Sequence, residues 1–406
     1  MDISEVFELA VRHHRAGDSA EARAAYRAVL VSAPDHAESW HRLGLLVGDP
    51  VQAARLIGRA ARIAPDDAFV LNNLGNALRA SGRIDAAAAA LADAADRLPD
   101  HAAIRANLGT ALLDAGRPAD ACDQLAEAVR LAPDDRDFRH RLATALYRLH
   151  LTGQDWEAGQ RAAAWAVARP DDPVARHTAA ALGSRPAPER CSDAWVTETF
   201  DRFADSFDTA LAAVEYRVPE RLAELLRRHR PDPAGALRIL DAGCGTGLCA
   251  PGLRPYASRL TGVDLSERML TRAAGRQTYD ALVQAELTAF LTAREQGFDL
   301  IVAADLLIYF GALEDLLTAA RRALAPGGML LCAAEQGPDP DGWTLTASGR
   351  YAHGRHYLAT CLNICGFDAV EWTEDALRRE NGRPVTGLLV LAVRRPGPSS
   401  SPTRHR

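Results

Sequence analysis

The sequence predicts two unlike parts: an all-helical solenoid over residues 1–183, then an α/β domain over 193–396 built on a mostly parallel seven-stranded sheet. Three observations predict it. A proline followed by aspartate recurs at Pro34, Pro65, Pro99, Pro133 and Pro170, with gaps of 31, 34, 34 and 37 residues. Beyond a Pro/Ser/Gly-rich linker at 184–192, strand-length apolar runs alternate with helical segments. The first of those runs ends in three closely spaced glycines, Gly243, Gly245 and Gly247.

The repeat has an internal pattern. Leu74-Gly75, Ala87, Leu91 and Ala94 lead to Pro99, and Leu108-Gly109, Ala121, Leu125 and Ala128 lead to Pro133 at the same spacing. Small residues let two antiparallel helices approach closely, large ones interdigitate, and proline ends the second helix because it cannot continue the hydrogen-bond ladder. A single pair cannot bury its apolar face, so neighbours must stack. The spacing resembles the tetratricopeptide repeat, with about five units and a capping helix over 174–183. That resemblance implies a concave face holding an unidentified protein or peptide. The sixth position of each unit brings Arg42, Asn73, Asn107 and Arg141 to this face, asparagines for a peptide backbone and arginines for its carboxylates.

Composition narrows the chemistry. A net charge of −6, from 47 basic and 53 acidic residues, argues against nucleic-acid and membrane partners. Every basic residue is arginine. The absence of lysine removes Schiff-base chemistry and a Walker-type phosphate loop. No apolar run approaches the ~20 residues of a membrane span. The start MDISEVFELA lacks a signal-peptide pattern. The seven cysteines are scattered with no CxxC pair, so neither a disulfide framework nor a metal site is indicated. We read a cytoplasmic protein with reduced thiols.

The runs LRILDAG, RLTGVDLS, YDALVQAEL, FDLIVAAD, GGMLLCAAE, FDAVEW and GLLVLAVRR supply the strands. Continuous apolar strands between helices argue for a sheet covered on both faces, with ligands at the carboxyl ends of the strands. Glycines at alternate positions in Asp241-Ala242-Gly243-Cys244-Gly245-Thr246-Gly247 allow a tight turn and bring backbone N–H groups close to a ligand. The third glycine follows the second by two residues, not the three of a dinucleotide loop. Asp241 would repel a pyrophosphate and suits an ammonium group. The loop resembles the first motif of class I S-adenosylmethionine-dependent methyltransferases.

That resemblance implies a cofactor site in chain order. Asp264 ends the second strand and would take the ribose hydroxyls, with Leu265 and Met269 flanking the adenine. Glu286 and Leu287 end the third strand near the adenine amino group, where the family usually has Asp. The fourth strand ends at Ala304-Asp305 and would run past the methionine part of the cofactor. Phe200, Phe203 and Phe207 share one helical face, and this segment implies a lid helix with Phe203 in contact.

Methyl transfer is an in-line displacement from a sulfonium, so the enzyme aligns the nucleophile, shields the site and removes a proton where needed. The segment 304–310 is mostly apolar and lacks an Asn-Pro-Pro-Tyr loop. Two histidines, two tyrosines and two arginines concentrate in 350–357, which makes His353 or His356 the candidate base, with Tyr309 lining the pocket. Across nearly the whole chain the arrangement resembles a bacterial family of predicted methyltransferases that carry tetratricopeptide repeats. It implies S-adenosylmethionine as cofactor and three functions: transfer to a small-molecule O- or N-acceptor with repeats recruiting a partner, transfer to a repeat-delivered protein, or a non-catalytic scaffold. The tail over 397–406 reads as disordered.

Overall fold

The computed structural model describes residues 2–380 and 382–396, so the tail lies outside the described residues. The chain divides into two compact units, Met1–Pro170 and Asp171–Arg406.

The first unit consists of five helix pairs: α1 (Ile3–Ala16) with α2 (Ser19–Ser32), α3 (Ala37–Leu45) with α4 (Pro50–Ile63), α5 (Ala68–Ala80) with α6 (Ile84–Arg97), α7 (Ala102–Asp114) with α8 (Pro118–Leu131), and α9 (Arg136–Leu151) with α10 (Asp155–Ala168). Each glycine of the repeat is a notch for one large side chain. A Cβ added at Gly44 would lie 2.5 Å from Ile57, one at Gly109 2.5 Å from Leu125, and one at Gly75 would strike Leu91. The residue after each Pro-Asp pair starts the next helix. Asp67 accepts from Phe69 N (2.9 Å) and Val70 N (3.1 Å), Asp135 from Phe138 N (3.1 Å), and His36 and His101 do the same through Nδ1.

The groove candidates are engaged with their own neighbours. Asn107 donates to Asn72 Oδ1 (2.9 Å), Asn72 to Asn73 Oδ1 (3.3 Å), and Asn73 pairs with His41 Nε2 (2.8 Å). Arg141 bonds Thr110 Oγ1 (3.1 Å) and Asp137 (2.5 Å), and Arg42 pairs with Glu38 (2.7 Å). The Asn107–Asn72, Asn73–His41 and Arg141–Thr110 contacts tie adjacent repeats side by side, and the others stay within one helix.

The second unit begins with α11 (Pro173–Ala181), the helix that the repeat pattern suggested as a cap for the array. Its Ala180 and Ala181 pack with Cys191, Leu345 and Tyr351, and His177 Nε2 donates to the Gly349 carbonyl (2.8 Å). Then come α12 (Asp193–Phe203), α13 (Phe207–Ala213) and α14 (Val218–His229), with the short α15 (Ala250–Leu253) after the first strand. The strands of the main sheet are β1 (Leu237–Ala242), β2 (Ala257–Asp264), β3 (Ala281–Gln284), β4 (Phe298–Ala303), β5 (Leu324–Glu335), β8 (Phe367–Glu380) and β9 (Arg383–Arg394). Their order is β3-β2-β1-β4-β5-β9-β8, parallel through β5, with β9 antiparallel to both neighbours. A separate hairpin pairs β6 (Trp343–Leu345) with β7 (Tyr351–His353), and the segment 350–357 that holds the two candidate histidines takes in β7 and the start of the helix after it.

Period-two alternation fills both faces of the sheet. Ile239, Leu300, Val302, Leu331 and Leu389 pack on α14, with Leu222, Leu225 and Leu226. Leu240, Ile301, Ala303, Leu330 and Val390 pack on the other side, against α17 (Leu287–Thr292), α18 (Glu314–Ala323) and α19 (Arg355–Ile364). Strand order reverses beside β1, and the crevice outside that switch point is where such sheets bind ligands.

Candidate active site

A cavity opens at the carboxyl ends of β1, β2, β3 and β4, entirely within the second unit. Its floor is the glycine loop. Gly243 and Gly245 take left-handed φ angles of +67° and +52°, a region that costs other residues backbone energy. Gly245 N donates to Asp264 Oδ2 (2.9 Å), and Ser266 N donates to Asp264 Oδ1 (2.9 Å), so the carboxylate at the tip of β2 is fixed from both sides.

Four carboxylates line the cavity, Asp241, Asp264, Glu286 and Asp305, against one guanidinium, Arg190. Burial pushes Asp241 up to about 7, with the Tyr279 hydroxyl pulling down and the Asp264 charge pushing up. Burial also raises Asp264, opposed by its backbone N–H donors. Burial raises Asp305 too, with Arg378 and Arg350 opposing. Among the described residues no donor is hydrogen-bonded to the Asp305 carboxylate. Such a lining suits a ligand that carries positive charge and hydroxyl donors. Among the described residues no group of three or more His, Cys, Asp or Glu side chains has metal-site geometry.

The opposite wall is aromatic. Phe200 meets Tyr309 edge-on at 5.4 Å between centroids, and Phe207 lies 5.9 Å from Phe200. The segment 200–208 is not one helix, because α12 ends at Phe203 and α13 starts at Phe207. Its phenylalanines face the cavity at 200 and 207, while Phe203 is exposed under Arg202 and outside the lining. The aspartates of the same motif hold it in place. Asp201 accepts from Ser266 Oγ (2.6 Å), Asp205 pairs with Arg268 and Arg272, and Asp208 accepts from Thr246 Oγ1 (2.5 Å) and Arg276 (2.5 Å).

Of the residues singled out by sequence, the cavity brings together Asp241, Gly243, Gly245, Asp264, Leu265, Glu286, Leu287, Asp305 and Tyr309. Glu286 has a second role as N-cap of α17, accepting from Thr288 N (3.0 Å) and Ala289 N (2.7 Å). Gly247 and Met269 stand behind the lining. Gly247 makes room for the Tyr279 ring, and Met269 is fully buried on α16 (Glu267–Gly275).

The two histidines lie outside the lining. His353 is fully buried in β7, its Nε2 donates to the Phe310 carbonyl (2.8 Å), and burial pulls its pKa down to about 4. His356 is exposed on α19 and pairs with Asp341 (3.4 Å). Their clustering in sequence reflects a hairpin followed by a helix start, which points the two side chains into different surroundings.

Sequence reasoning missed several lining residues. Arg190 and Cys191 belong to the segment read as a linker, but Cys191 N donates to the Tyr309 carbonyl (2.9 Å) and Gly311 N to the Glu189 carbonyl (2.7 Å), which lays that segment along the cavity rim. Tyr216 follows a left-handed turn at Glu215 (φ +55°) that no motif marks.

The fold and this strand-end site define a class I methyltransferase domain. Residues 240–332 match the methyltransferase domain family, and residues 7–68 and 72–136 match the tetratricopeptide repeat. The chain therefore joins tetratricopeptide repeats to a class I methyltransferase domain. Malonyl-(acyl-carrier protein) O-methyltransferase of Geobacter sulfurreducens is 36% identical over 142 residues, 34% of this chain and 52% of that protein. Ubiquinone biosynthesis O-methyltransferase of Roseobacter denitrificans is 32% identical over 106 residues, 25% of this chain and 43% of that protein. The chain thus spans about half the length of the curated relatives it matches. Among solved structures, 1,6-didemethyltoxoflavin-N1-methyltransferase of Burkholderia thailandensis, with 1,6-didemethyltoxoflavin and S-adenosylhomocysteine bound, is 20% identical at a TM-score of 0.42, covering 52% of this chain and 94% of that chain.

Proposed function

We propose that this protein is an S-adenosylmethionine-dependent methyltransferase acting on a small-molecule O- or N-acceptor, with the repeat array recruiting a protein partner. One observation carries the reading: the glycine loop, Asp241, Asp264 and Glu286 meet an aromatic wall in a single cavity. The relatives named for O-methyl transfer support it.

The residues fit the cofactor. A nucleoside with a sulfonium and an ammonium group brings positive charge and hydroxyl donors, and the lining offers four carboxylates against one arginine. Asp264 would hold the ribose, Glu286, Leu265 and Leu287 the adenine, and Asp241 with the Gly243–Gly245 backbone the methionine end. The cofactor supplies an electrophilic methyl group, which leaves the protein to orient the acceptor, exclude water and receive a proton. Phe200, Phe207 and Tyr309 wall the acceptor half. Asp305 would be the proton acceptor there, since it lines the cavity beside Tyr309 and burial makes its carboxylate more basic than usual.

Calorimetric titration of S-adenosylmethionine and S-adenosylhomocysteine into wild type and Asp264→Ala tests the cofactor assignment. Micromolar binding to wild type and a loss of about hundredfold in the variant are expected, since a carboxylate bonded to two hydroxyls contributes a few kcal/mol. Wild-type protein that binds neither would sink it. Transfer of labelled methyl from the cofactor to a panel of phenols, carboxylic acids and amines then tests the acceptor class.

A further inference from the structure

Asp241 occupies an unusual position for a ligand-binding carboxylate. It is the last residue but one of β1 with 1% of its surface exposed, and its Oδ2 accepts a 2.6 Å hydrogen bond from the Tyr279 hydroxyl. The other titratable groups facing it are Asp264 at the tip of β2 and the buried thiols of Cys244 and Cys249. None of these can donate to a carboxylate as strongly as a phenol aimed at it.

Two glycines make room for the ring. A Cβ on Gly247 would lie 3.0 Å from Tyr279 Cε2, and one on Gly262, in the middle of β2, would lie 3.0 Å from Tyr279 Cε1. A glycine inside a strand marks a close approach, and here Tyr279 shares the space with Leu282 Cδ2 (2.8 Å) and Cys244 Sγ (2.9 Å). The segment that carries it is braced. Arg276 Nε donates to the Thr246 carbonyl (2.6 Å), Gln277 takes a left-handed φ of +52°, and Asp280 accepts from Leu260 N (2.7 Å) and Arg254 (2.7 Å). Residues 276–280 therefore grip the glycine loop from behind at three points: the Thr246 carbonyl, the Gly247 methylene and the Asp241 carboxyl.

We propose that Tyr279 is a positioning residue for the cofactor, holding the Asp241 carboxylate ready for the ammonium end of the methionine moiety. This rests on the cofactor assignment above. The phenol acts through Asp241 and touches no ligand itself. Because its hydrogen bond favours the charged carboxylate, losing it leaves Asp241 more protonated near neutral pH and a weaker partner for a cation.

The test uses the full chain and two ligands, S-adenosylhomocysteine, which keeps the amino-acid end, and 5′-methylthioadenosine, which lacks it. Tyr279→Phe is expected to bind S-adenosylhomocysteine about tenfold more weakly, the size of one hydrogen bond to a charged group, with methylthioadenosine affinity held within about twofold. Asp241→Asn should show the same discrimination, and adding Tyr279→Phe to it should cost nothing further. A Tyr279→Phe variant that binds S-adenosylhomocysteine as wild type does overturns the proposal. Equal losses for both ligands also overturn it, since they would mean a general collapse of the loop. If Tyr279→Phe fails to fold, Asp241→Asn decides alone, because unchanged S-adenosylhomocysteine binding there removes the residue through which Tyr279 acts. Wild type binding neither ligand removes the cofactor assignment and this proposal together, a result distinct from all the others.

Discussion

The two units use glycine in opposite ways. In the repeat array, Gly44, Gly75 and Gly109 have ordinary helical backbones, and what they provide is an absence of volume into which Ile57, Leu91 and Leu125 fit. In the glycine loop, Gly243 and Gly245 have left-handed backbones; a Cβ on Gly243 would lie 2.9 Å from Leu306 Cδ1, but one on Gly245 would meet nothing closer than Phe207 at 3.8 Å. The array glycines are packing devices, and Gly245 keeps a space open. The same substitution should therefore separate stability from binding.

The largest effect expected is on packing. Gly109→Val forces a branched side chain onto Leu125, and overpacking of this kind should lower unfolding free energy by up to about 3 kcal/mol. Urea unfolding measures the loss, and S-adenosylhomocysteine affinity should be unchanged because no array residue lines the cavity. A Gly109→Val protein as stable as wild type would mean that the notch relaxes freely.

Burial of His353 gives the second unit an acid-sensitive point. Its folded pKa of about 4 lies below the unfolded value near 6.5, so protons favour the unfolded chain. The associated stability is intact above pH 6.5 and falls as the pH drops toward 4. Between pH 7 and pH 5 the fall should be about 2 kcal/mol by linkage. His353→Gln should flatten that part of the stability–pH curve, and an unchanged slope would show that the imidazole does not carry it.

Gly245→Ala probes the other kind of glycine. The left-handed backbone costs alanine about 1 kcal/mol, and the new methyl projects where the cavity is open, so affinity for S-adenosylhomocysteine should fall about tenfold. If stability falls as far as in Gly109→Val while affinity holds, the two glycine classes are not distinct.

What could be read from sequence follows the same division. The array was legible because one packing unit repeats, so Leu91 and Leu125 announce each other at a 34-residue distance. The sheet and its strand-end carboxylates were legible because local motifs carry them: Asp241 and Asp264 lie at the ends of β1 and β2, just before the turns that the following glycines and caps build. The aromatic wall was half legible, since Phe200 and Phe207 follow the helical spacing but the break at 204–206 turns Phe203 outward. His353 and His356 misled because residues three apart in sequence fall on a buried hairpin and an exposed helix start. Tyr279 was readable only through Gly262, whose lack of a side chain inside β2 signals a neighbour without naming it.

The smallest effect concerns the array's polar face. Asn107, Asn72, Asn73 and His41 form a chain of hydrogen bonds across three repeats, and all four are half-buried. Asn107→Ala removes one donor and leaves the Asn72 carbonyl within reach of water, so the cost should stay below about 1 kcal/mol. A bound peptide must compete with these internal bonds, which lowers the net gain from any contact it makes with Asn73 or Asn107. If the chain is purely structural, Asn107→Ala and Asn73→Ala will each lower the melting temperature slightly, and the double variant will lose less than their sum, because the members of one network are coupled. Strict additivity would mean the asparagines are independent of each other. They would then be available to a partner, and the array's polar face would be closer in kind to the cavity than to the packed core beneath it.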